Sequence, residues 1–393
     1  MDRPLTHSPD QVSPDAPDFS FESLSRRPDV EAENLQAHDA ADRLLLDTAA
    51  DRLREDPAGV VVIGDSYGAL TLGAAALHGV RDLRVHQDPY SGELALERNA
   101  RAAGLAQTYG SLPLDADLLA GASTVLLRLP RSLDALEEIA ALIAAHAAPD
   151  VVVYAGGRLK HMTTAMNDVL ARWFGSVQAG LARQKSRVLT VSGPLPAAVQ
   201  PASRFPLAQQ HDVGLAVPLQ LRAHGAAFAG AALDIGTRFL LPHLAGARQA
   251  NTAVDLGCGT GAIAAYLALA RPSLQVTATD QSAAAVASAT ATMDANGVAD
   301  RVQVRRGDAL AGFPDRSAEL IVLNPPFHIG ASVHAGIALK LFADAGRVLA
   351  PGGELWTVWN SHLTYKSALT RLVGPTREVA RNPKFTVTVS TRR

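Results

Sequence analysis

The sequence contains very little cysteine, almost no net charge and no apolar run long enough to cross a membrane. Its 393 residues include a single cysteine, Cys258, which excludes an internal disulfide and a cysteine-rich zinc site. A formal charge of −2 excludes a uniformly cationic protein that coats nucleic acids without selectivity. The first twenty residues carry acids and prolines where a signal peptide has basic and then apolar residues. We therefore expect a soluble, cytoplasmic chain that uses neither a membrane nor a metal.

The sequence does contain enough length and enough apolar residues for two domains. A chain of 393 residues exceeds the size at which a single core is usual, and its hydrophobic share of 48% is typical of globular proteins. Residues 225–393 hold more basic than acidic side chains, whereas residues 1–224 hold more acidic ones. The basic excess of the second part permits a phosphate-bearing partner but does not require one.

The chain repeats a pattern of strand, glycine-bearing turn and helix start. If Gly68 is aligned with Gly261, later segments also fall into the same order, and Arg128 lies opposite Asn324. Such order over whole domains indicates an internal duplication. The matching segments are GVVVIGDSYGAL (59–70) with TAVDLGCGTGAI (252–263), TVLLRLPRS (124–132) with LIVLNPPFH (320–328), and ARQKSRVLTVS (182–192) with ARNPKFTVTVS (380–390).

Both copies alternate short Val, Leu and Ile runs with alanine-rich segments. This alternation predicts an α/β fold in which each domain has a mostly parallel sheet with helices on both faces. A strand or hairpin over 215–228 is expected to lead into the second domain. The predicted division is a disordered or loosely attached tail over 1–34, a first domain over 35–195, a linker over 196–224 and a second domain over 225–393.

The glycine-rich turn of the second copy predicts a ligand site. Gly257, Gly259 and Gly261 follow a strand, where the backbone turns tightly and lies against a ligand without an intervening side chain. The same turn also fits a dinucleotide fingerprint, with Asp280 at the distance expected for a ribose-binding acid. A nicotinamide enzyme and a purely structural turn therefore remain alternatives at this point.

Further polar residues separate these alternatives. Asp255 precedes the first glycine, where a carboxylate would repel a pyrophosphate but attract the ammonium of a methionine moiety. Asp308 follows a third short strand, and from there it can accept a hydrogen bond from an adenine amino group. Asn324 ends an apolar strand, and ligands of open α/β sheets bind at the carboxyl ends of the strands. We therefore expect four residues to converge on one crevice: Asp255, Asp280, Asp308 and Asn324.

With NPPF at 324–327, the second copy resembles the class I S-adenosylmethionine-dependent methyltransferases. Together with LDIGTRFLL (233–241), NPPFH and the tandem arrangement, it resembles the ribosomal RNA guanine-N2-methyltransferases of the RsmC/RlmG type, over roughly residues 35–393. The resemblance implies two Rossmann-like class I methyltransferase domains and S-adenosylmethionine as cofactor. It also implies ribosomal RNA or a ribosomal subunit as partner, and the exocyclic N2 amine of guanine as the methyl acceptor.

The chemistry of an exocyclic amine explains these residue types. The Asn324 side-chain oxygen and the Pro325 backbone carbonyl can each accept one N–H, which favours a pyramidal nitrogen whose lone pair faces the methyl group. Phe327 offers a stacking face for the base. The predicted catalytic residues are Asn324, Pro325 and Phe327. The predicted cofactor-binding residues are Asp255, Gly257, Gly259, Gly261, Asp280, Asp308 and Asn324.

Several nearby residues have two interpretations. Pro326 and His328 are substrate-binding candidates, although His328 is as well explained as a surface residue. Phe228 either lines the pocket or packs in the core. Arg238 either lines the pocket or forms an ion pair on the surface. Cys258 is expected to be a small residue in a crowded turn, since no second thiol or base accompanies it.

The first copy lacks the catalytic residues. Val62 replaces Asp255, Ser66 replaces Gly259, and Arg128-Leu129-Pro130 replaces the Asn-Pro-Pro. We therefore expect a degenerate, non-catalytic methyltransferase-like domain, in agreement with the resemblance. Basic residues of this domain either contact RNA phosphates or form an ordinary solvated face; they are Arg158, Lys160, His161, Arg183, Lys185 and Arg187.

Three other functions remain open on the sequence alone. The same motif occurs in methyltransferases for other amines, such as a release-factor glutamine or the N6 amine of adenine. A nicotinamide oxidoreductase is the second alternative, and a non-catalytic RNA-binding assembly factor is the third. The sequence does not indicate an oligomeric state or the modified nucleotide.

Overall fold

Two seven-stranded sheets with the same strand order form the framework of the chain. The structure, a computed structural model, describes residues 19–32, 35–325 and 331–393, and for residues 331–335 the helical backbone alone. Within the described residues, no helix is both long and apolar enough to cross a bilayer. The predicted pair of Rossmann-like domains is confirmed.

In the first sheet the strand order is β3-β2-β1-β4-β5-β7-β6. The first five strands run parallel, and the last two add an antiparallel hairpin. The strands are β1 (Val60–Ile63), β2 (Leu83–His86), β3 (Tyr109–Ser111), β4 (Thr124–Arg128), β5 (Val152–Arg158), β6 (Phe174–Ala179) and β7 (Ser186–Pro194). The helices are α1 (Ala40–Glu55), α2 (Ala69–His78), α3 (Tyr90–Ala102), α4 (Ala116–Leu119), α5 (Leu133–His146) and α6 (Thr164–Ala171).

A two-stranded hairpin and the second sheet follow. The hairpin consists of β8 (Leu207–His211) and β9 (Leu219–Ala223). The sheet order, β12-β11-β10-β13-β14-β16-β15, repeats that of the first domain. Its strands are β10 (Thr252–Leu256), β11 (Gln275–Asp280), β12 (Val302–Arg306), β13 (Ala318–Leu323), β14 (Leu349–Asn360), β15 (Thr376–Arg381) and β16 (Phe385–Thr391). Its helices are α7 (Ile235–Leu240), α8 (Ala262–Ala270), α9 (Ala283–Ala295), α10 (Ala331–Val348) and α11 (Lys366–Leu372).

The central strands are apolar at most positions because both faces of each sheet are covered. In β13, Leu320 and Val322 belong to one core cluster, whereas Ile321 and Leu323 belong to the cluster on the opposite face. Successive side chains of a strand point to opposite faces, so a strand between two helical layers needs apolar residues throughout. The polar residues that follow such strands are consequently confined to the sheet edge where ligands bind.

The region predicted as a linker contains a hairpin that belongs to the second domain. The backbone N–H of Gln220 donates to Asn296 Oδ1 (3.0 Å), and that of Arg222 donates to Thr292 Oγ1 (3.0 Å). Both acceptors belong to α9 or its C-terminal end. The predicted linker over 196–224 is therefore too long, because it includes β8 and β9. Polar side chains on and next to α9 accept hydrogen bonds from the backbone N–H groups at the outer edge of β9.

The segment predicted as a loose tail over 1–34 also differs from the expectation. Its residues 19–32 pack against the first domain, with Phe21 buried in the core. The backbone N–H of Ser25 donates to Asn99 Oδ1 (3.1 Å), and the Tyr67 hydroxyl donates to Asp29 Oδ2 (2.6 Å). Two phenylalanines, Phe19 and Phe21, among many polar residues gave too weak a signal to predict this attachment.

The two domains meet through equivalent loops that follow their second strands. The Tyr90 N–H donates to the Gln281 carbonyl (2.9 Å), and the Ala283 N–H donates to the Asp88 carbonyl (2.9 Å). Asp88 Oδ1 also accepts from the Ser282 hydroxyl (2.9 Å). The first domain therefore contacts the start of α9 directly.

Candidate active site

A cavity of about 410 Å³ opens at the carboxyl ends of β10, β11 and β13, within the range of small-molecule sites. Its wall includes six of the predicted site residues: Gly257, Gly259, Asp280, Asp308, Asn324 and Pro325. Residues of the first domain also reach this wall, namely Pro28, Asp29, Val30, Asp88 and Ser91. Of the four polar residues expected to converge on one crevice, Asp280, Asp308 and Asn324 line this cavity and Asp255 does not.

The glycine turn leaves open space for a ligand. Gly257 and Gly259 adopt φ angles of 68° and 53°, which side-chain-bearing residues rarely adopt. A Cβ at either position would meet no protein atom within 4 Å. The N–H groups of Gly257 and Cys258 donate to the Thr279 carbonyl (2.8 and 3.0 Å), which ties the turn to the neighbouring strand.

Gly261 has a different environment from the other two glycines. It is not part of the cavity wall, and a Cβ at this position would lie 2.6 Å from Met293 Cε and 3.0 Å from Ala289 Cβ. Its φ is also positive, at 77°. The structure therefore places Gly261 where α8 approaches α9, a packing position, whereas the sequence predicts a cofactor contact.

Asp255 lies beneath the glycine turn rather than in the cavity wall. Its side chain is fully buried, Oδ2 accepts from the Ala264 N–H (2.9 Å), and Oδ1 has no partner among the described residues. Burial, and secondarily the charge of Asp280, raises the pKa of Asp255 to about 7. A buried carboxylate oxygen without a partner suits a cationic ligand group nearby.

Two further acids of the wall are already engaged by the protein. Asp280 Oδ2 accepts from the Gly259 N–H (2.9 Å), and Oδ1 accepts from the Ser282 N–H (2.9 Å). Burial is the main cause that raises the pKa of Asp280. Asp308 accepts from the Lys340 ammonium through both oxygens. Each carboxylate oxygen has two lone pairs, so both acids keep acceptor capacity for ligand hydroxyl or amino groups.

Asn324 is held in one orientation by two acceptors. Its Nδ2 donates to Asp234 Oδ1 (2.8 Å) and to Thr237 Oγ1 (2.9 Å). Because a carboxylate can only accept, the amide nitrogen must face Asp234. The other amide atom, Oδ1, is buried and has no partner among the described residues. The site therefore presents one unsatisfied acceptor, which matches a ligand that donates N–H.

The remaining second-domain candidates lie in different places. Phe228 lines the cavity with 62% of its surface exposed, so it is not a core residue. Arg238 lies outside the wall, and its Nη2 is 3.5 Å from His211 Nδ1. Burial, then the charges of Asp280 and Asp255, raises the pKa of Cys258 well above its usual value, as expected of an unreactive thiol. Pro326, Phe327 and His328 lie outside the described residues.

The first domain has an arginine, Arg128, at the position that corresponds to Asn324. Ile63 pairs with Leu127 in one sheet and Leu256 pairs with Leu323 in the other, so Arg128 and Asn324 each come one residue after equivalent pairs. Arg158 and Lys160 line a separate cavity beside Arg128. Lys185 is not part of that wall, and its carbonyl accepts from the Leu159 N–H (2.9 Å).

Sequence reasoning missed several residues of the cavity. Asp234 and Thr237 lie within LDIGTRFLL, but the sequence did not predict them as site residues. Asp234 is the N-cap of α7 and accepts from the Thr237 N–H (2.9 Å). Lys340 and Asp88 gave no local signal, because only the tertiary fold brings them to the wall. Within the part of the chain that the structure describes, no group of three or more His, Cys, Asp or Glu residues could hold a metal.

Comparisons with known families agree with this geometry. Residues 218–389 match the family described as "Methyltransferase small domain". Residues 16–194 match the family described as "RLMG N-terminal domain". The two matches fall on the two sheets of the structure and leave the short connection between them.

Whole-chain comparisons extend over both domains. A Streptomyces coelicolor protein named ribosomal RNA large subunit methyltransferase G is 38% identical, over 93% of this chain and 96% of the relative. A Pseudomonas paraeruginosa protein of the same name is 37% identical, over 94% and 97%. The solved T. thermophilus 16S rRNA N2 G1207 methyltransferase (RsmC) is similar in fold, with a TM-score of 0.71, 21% identity and coverage of 91% and 92%. The chain belongs to the ribosomal RNA large subunit methyltransferase G family.

Proposed function

We propose that this protein transfers a methyl group from S-adenosylmethionine to the exocyclic N2 amine of a guanine in large-subunit ribosomal RNA. The observation that carries the proposal is the Asn324 amide. Its nitrogen is held by Asp234 and Thr237, which leaves a buried oxygen without a partner at the cavity. Such an oxygen is costly unless a substrate N–H satisfies it, and an amine is the group that supplies one.

The wall of the cavity suits the methyl donor. Gly257 and Gly259 would let the backbone lie against it, Asp280 would accept from its ribose, and Asp308 would accept from its adenine amino group. Asp255, beneath the turn, would compensate the positive charge of its methionine end from a short distance behind the wall. When bound, the donor supplies an electrophilic methyl group on a positively charged sulfur.

The residues of the chain act on the amine by orientation rather than by base catalysis. Asn324 Oδ1 and the Pro325 carbonyl would each accept one N–H, so that the nitrogen lone pair is directed away from both and toward the donor. An amide oxygen is too weak a base to remove the proton, so the methylated nitrogen would release it to solvent. Cys258 does not serve as a nucleophile, because its thiol is buried and its pKa is raised.

The base itself needs a flat, apolar surface beside Asn324. Phe228 lines the cavity with much of its ring exposed, and it would provide one stacking face. Phe327, Pro326 and His328 remain predicted substrate contacts. A guanine that is paired in RNA would have to be flipped out or presented unpaired to enter.

The names of the relatives support the RNA part of the proposal. The Streptomyces and Pseudomonas relatives are named large-subunit ribosomal RNA methyltransferases. The T. thermophilus neighbour was solved in complex with AdoMet and guanosine. We propose that the catalytic unit is the domain over 225–393 and that the domain over 35–195 does not catalyse, because Arg128 replaces the asparagine there.

The proposal is tested by identifying the methylated product. The protein is incubated with labelled S-adenosylmethionine and deproteinised large-subunit RNA, and the digested nucleosides are separated. We expect label in N2-methylguanosine. Asn324→Ala is expected to lower kcat by on the order of a hundredfold or more, because one oriented acceptor in the transition state is lost.

Asn251→Ala provides the matched control. Asn251 is an exposed asparagine at the edge of β10, and its replacement is expected to leave kcat unchanged. Label in methyladenine or in a protein glutamine would instead favour one of the other amine acceptors. An Asn324→Ala variant with normal kcat would refute the assigned role of the amide.

A further inference from the structure

The Asn324 oxygen does not by itself select guanine among the bases. An acceptor for N–H groups suits any exocyclic amine, including the N6 amine of adenine and the N4 amine of cytosine. These bases differ in the ring atom next to the amine. Guanine carries an N1–H there, whereas adenine and cytosine carry a ring nitrogen with a lone pair. A second acceptor beside Asn324 would therefore separate guanine from the other two bases.

Asp234 is in the right place to supply this second acceptor. It belongs to the cavity wall and is half-buried. Its Oδ1 accepts from the Asn324 amide (2.8 Å) and from the Thr237 N–H (2.9 Å). Within the described residues, Oδ2 accepts no hydrogen bond and the carboxylate has no ion-pair partner. An oxygen with free acceptor capacity therefore lies next to the Asn324 amide.

The other acids of the wall are less suited to contact the base. Asp29, Asp280 and Asp308 each accept through both oxygens from groups of the protein itself. Asp88 holds the start of α9. Among the described acids of the wall, Asp234 is the one that contacts the amide that would bind the amine.

We propose that Asp234 is a specificity-determining residue: its Oδ2 accepts the N1–H of guanine while the Asn324 oxygen accepts an N–H of the neighbouring N2 amine. This inference rests on the proposed function. An extruded base is read through hydrogen bonds to its Watson–Crick edge, and two adjacent acceptors match the two adjacent donors of guanine. Adenine or cytosine would turn a ring-nitrogen lone pair toward the carboxylate, and this repulsion disfavours both bases.

Asp234→Asn tests the proposal because it changes one atom of the recognition and keeps the surrounding hydrogen bonds. Asparagine is as good an N-cap as aspartate. The Thr237 N–H requires an acceptor, so the new amide oxygen takes the place of Oδ1. The amide nitrogen then takes the place of Oδ2 and presents N–H groups to the base. The variant is expected to disfavour guanine and to favour a base with a lone pair at that ring nitrogen.

2-Aminopurine is the matching probe, because it keeps the N2 amine of guanine but has no N1–H. Guanosine and 2-aminopurine riboside are each titrated calorimetrically into protein that is saturated with S-adenosylhomocysteine. The wild type is expected to bind guanosine more tightly by on the order of ten- to a hundredfold, because the riboside lacks a hydrogen bond to a charged acceptor. In Asp234→Asn this ratio is expected to fall to about 1 or to reverse, because the amide N–H meets a lone pair. 6-Thioguanosine, which keeps N1–H but lacks O6, should bind as guanosine does in both proteins.

Thr237→Val is the matched control. It removes the hydroxyl that accepts from the Asn324 amide (2.9 Å) and leaves the Asp234 carboxylate in place. We expect kcat on ribosomal RNA to fall, while the ratio of the two nucleoside Kd values stays at the wild-type value. Asp300→Asn makes the same carboxylate-to-amide change at an exposed position and is expected to alter neither kcat nor the ratio.

The assignment is overturned if Asp234→Asn keeps the wild-type preference for guanosine over 2-aminopurine riboside. It is also overturned if this variant weakens S-adenosylmethionine as much as guanosine, because the carboxylate would then bind the ammonium of the donor. Both nucleoside Kd values are obtained without methyl transfer. A guanosine preference that disappears in Asp234→Asn, in a protein that leaves ribosomal RNA guanine unmethylated, would support the assignment and contradict the proposed function.

Discussion

At the scale of single residues, the site depends on side chains whose hydrogen bonds are only partly satisfied. Asn324 has its nitrogen satisfied and its oxygen unsatisfied, and Asp255 has one oxygen satisfied and one not. Buried polar atoms without partners are rare in folded proteins because each costs free energy. Asn324 belongs to the cavity wall, so a ligand bound there can satisfy its oxygen, whereas Asp255 lies beneath the wall.

Asp255 leads to a pH-dependent prediction. Its folded pKa of about 7 exceeds the ordinary value of 3.8, so the folded protein keeps a proton that the unfolded chain has released. Its contribution to stability is therefore greatest below about pH 4, decreases as the pH rises to 7 and stays low above that. In Asp255→Asn the amide oxygen can still accept from Ala264, but the position no longer titrates. The unfolding free energy of Asp255→Asn minus that of the wild type should therefore be larger at pH 8 than at pH 5, by on the order of 2–3 kcal/mol.

The measurement is urea denaturation of donor-free protein at both pH values. Asp300→Asn, a change at an exposed aspartate, serves as the control. Its unfolding free energy should differ from that of the wild type by the same amount at pH 5 and pH 8. If the unfolding free energy of Asp255→Asn also differs from that of the wild type by the same amount at pH 5 and pH 8, the pKa of Asp255 is not raised.

At the scale of structural elements, the glycine turn combines two different requirements. Gly259 keeps the cavity open, whereas Gly261 lets α8 approach α9. Both residues have positive φ angles, so an alanine at either position suffers similar backbone strain. A difference between the two alanine variants should therefore come from packing or from ligand binding rather than from the backbone.

We predict that Gly261→Ala mainly reduces stability and Gly259→Ala mainly reduces donor affinity. The Gly261→Ala methyl group would lie 2.6 Å from Met293 Cε, so we expect a loss of about 2–4 kcal/mol in unfolding free energy. The Gly259→Ala methyl group meets no protein atom, so the loss should be about 1 kcal/mol, with donor affinity lowered on the order of tenfold by crowding of the cavity. Chemical denaturation and calorimetric titration with the donor measure the two effects. Equal donor Kd values in the two variants would contradict this division.

The sequence predicted those parts of the site that follow directly from strand ends. Asp280 ends a strand of the parallel sheet, and Asp308 and Asn324 come shortly after two others, so their convergence needed only the sheet pattern. The distinction between Gly259 and Gly261 could not be predicted, because it depends on how closely Met293 approaches. Asp88 could not be predicted either, because a contact between domains leaves no local pattern in either one.

At the scale of the whole molecule, the loop after β2 of the first domain is hydrogen-bonded to the loop that carries Asp280 in the second domain. Asp88 Oδ1 accepts from the Ser282 hydroxyl and from the Ala284 N–H (both 2.9 Å), which caps α9 from the other domain. Ser282 in turn donates its N–H to Asp280 Oδ1 (2.9 Å). A hydrogen-bonded chain therefore runs from the first domain to the acid expected to hold the donor ribose.

We predict that Asp88→Ala lowers both the stability and the donor affinity of the second domain. Loss of the Asp88 hydrogen bonds to Ser282 and Ala284 at the start of α9 should cost about 1 kcal/mol of unfolding free energy, and loosening of the loop around Asp280 should raise the donor Kd by about three- to tenfold. Asp115→Ala is the matched control, because Asp115 caps α4 within the first domain, through the Asp117 and Leu118 N–H groups (3.1 and 3.2 Å). It should cost a similar stability and leave the donor Kd unchanged. If calorimetric titration gives both variants the wild-type Kd, the first domain touches the donor site without supporting it.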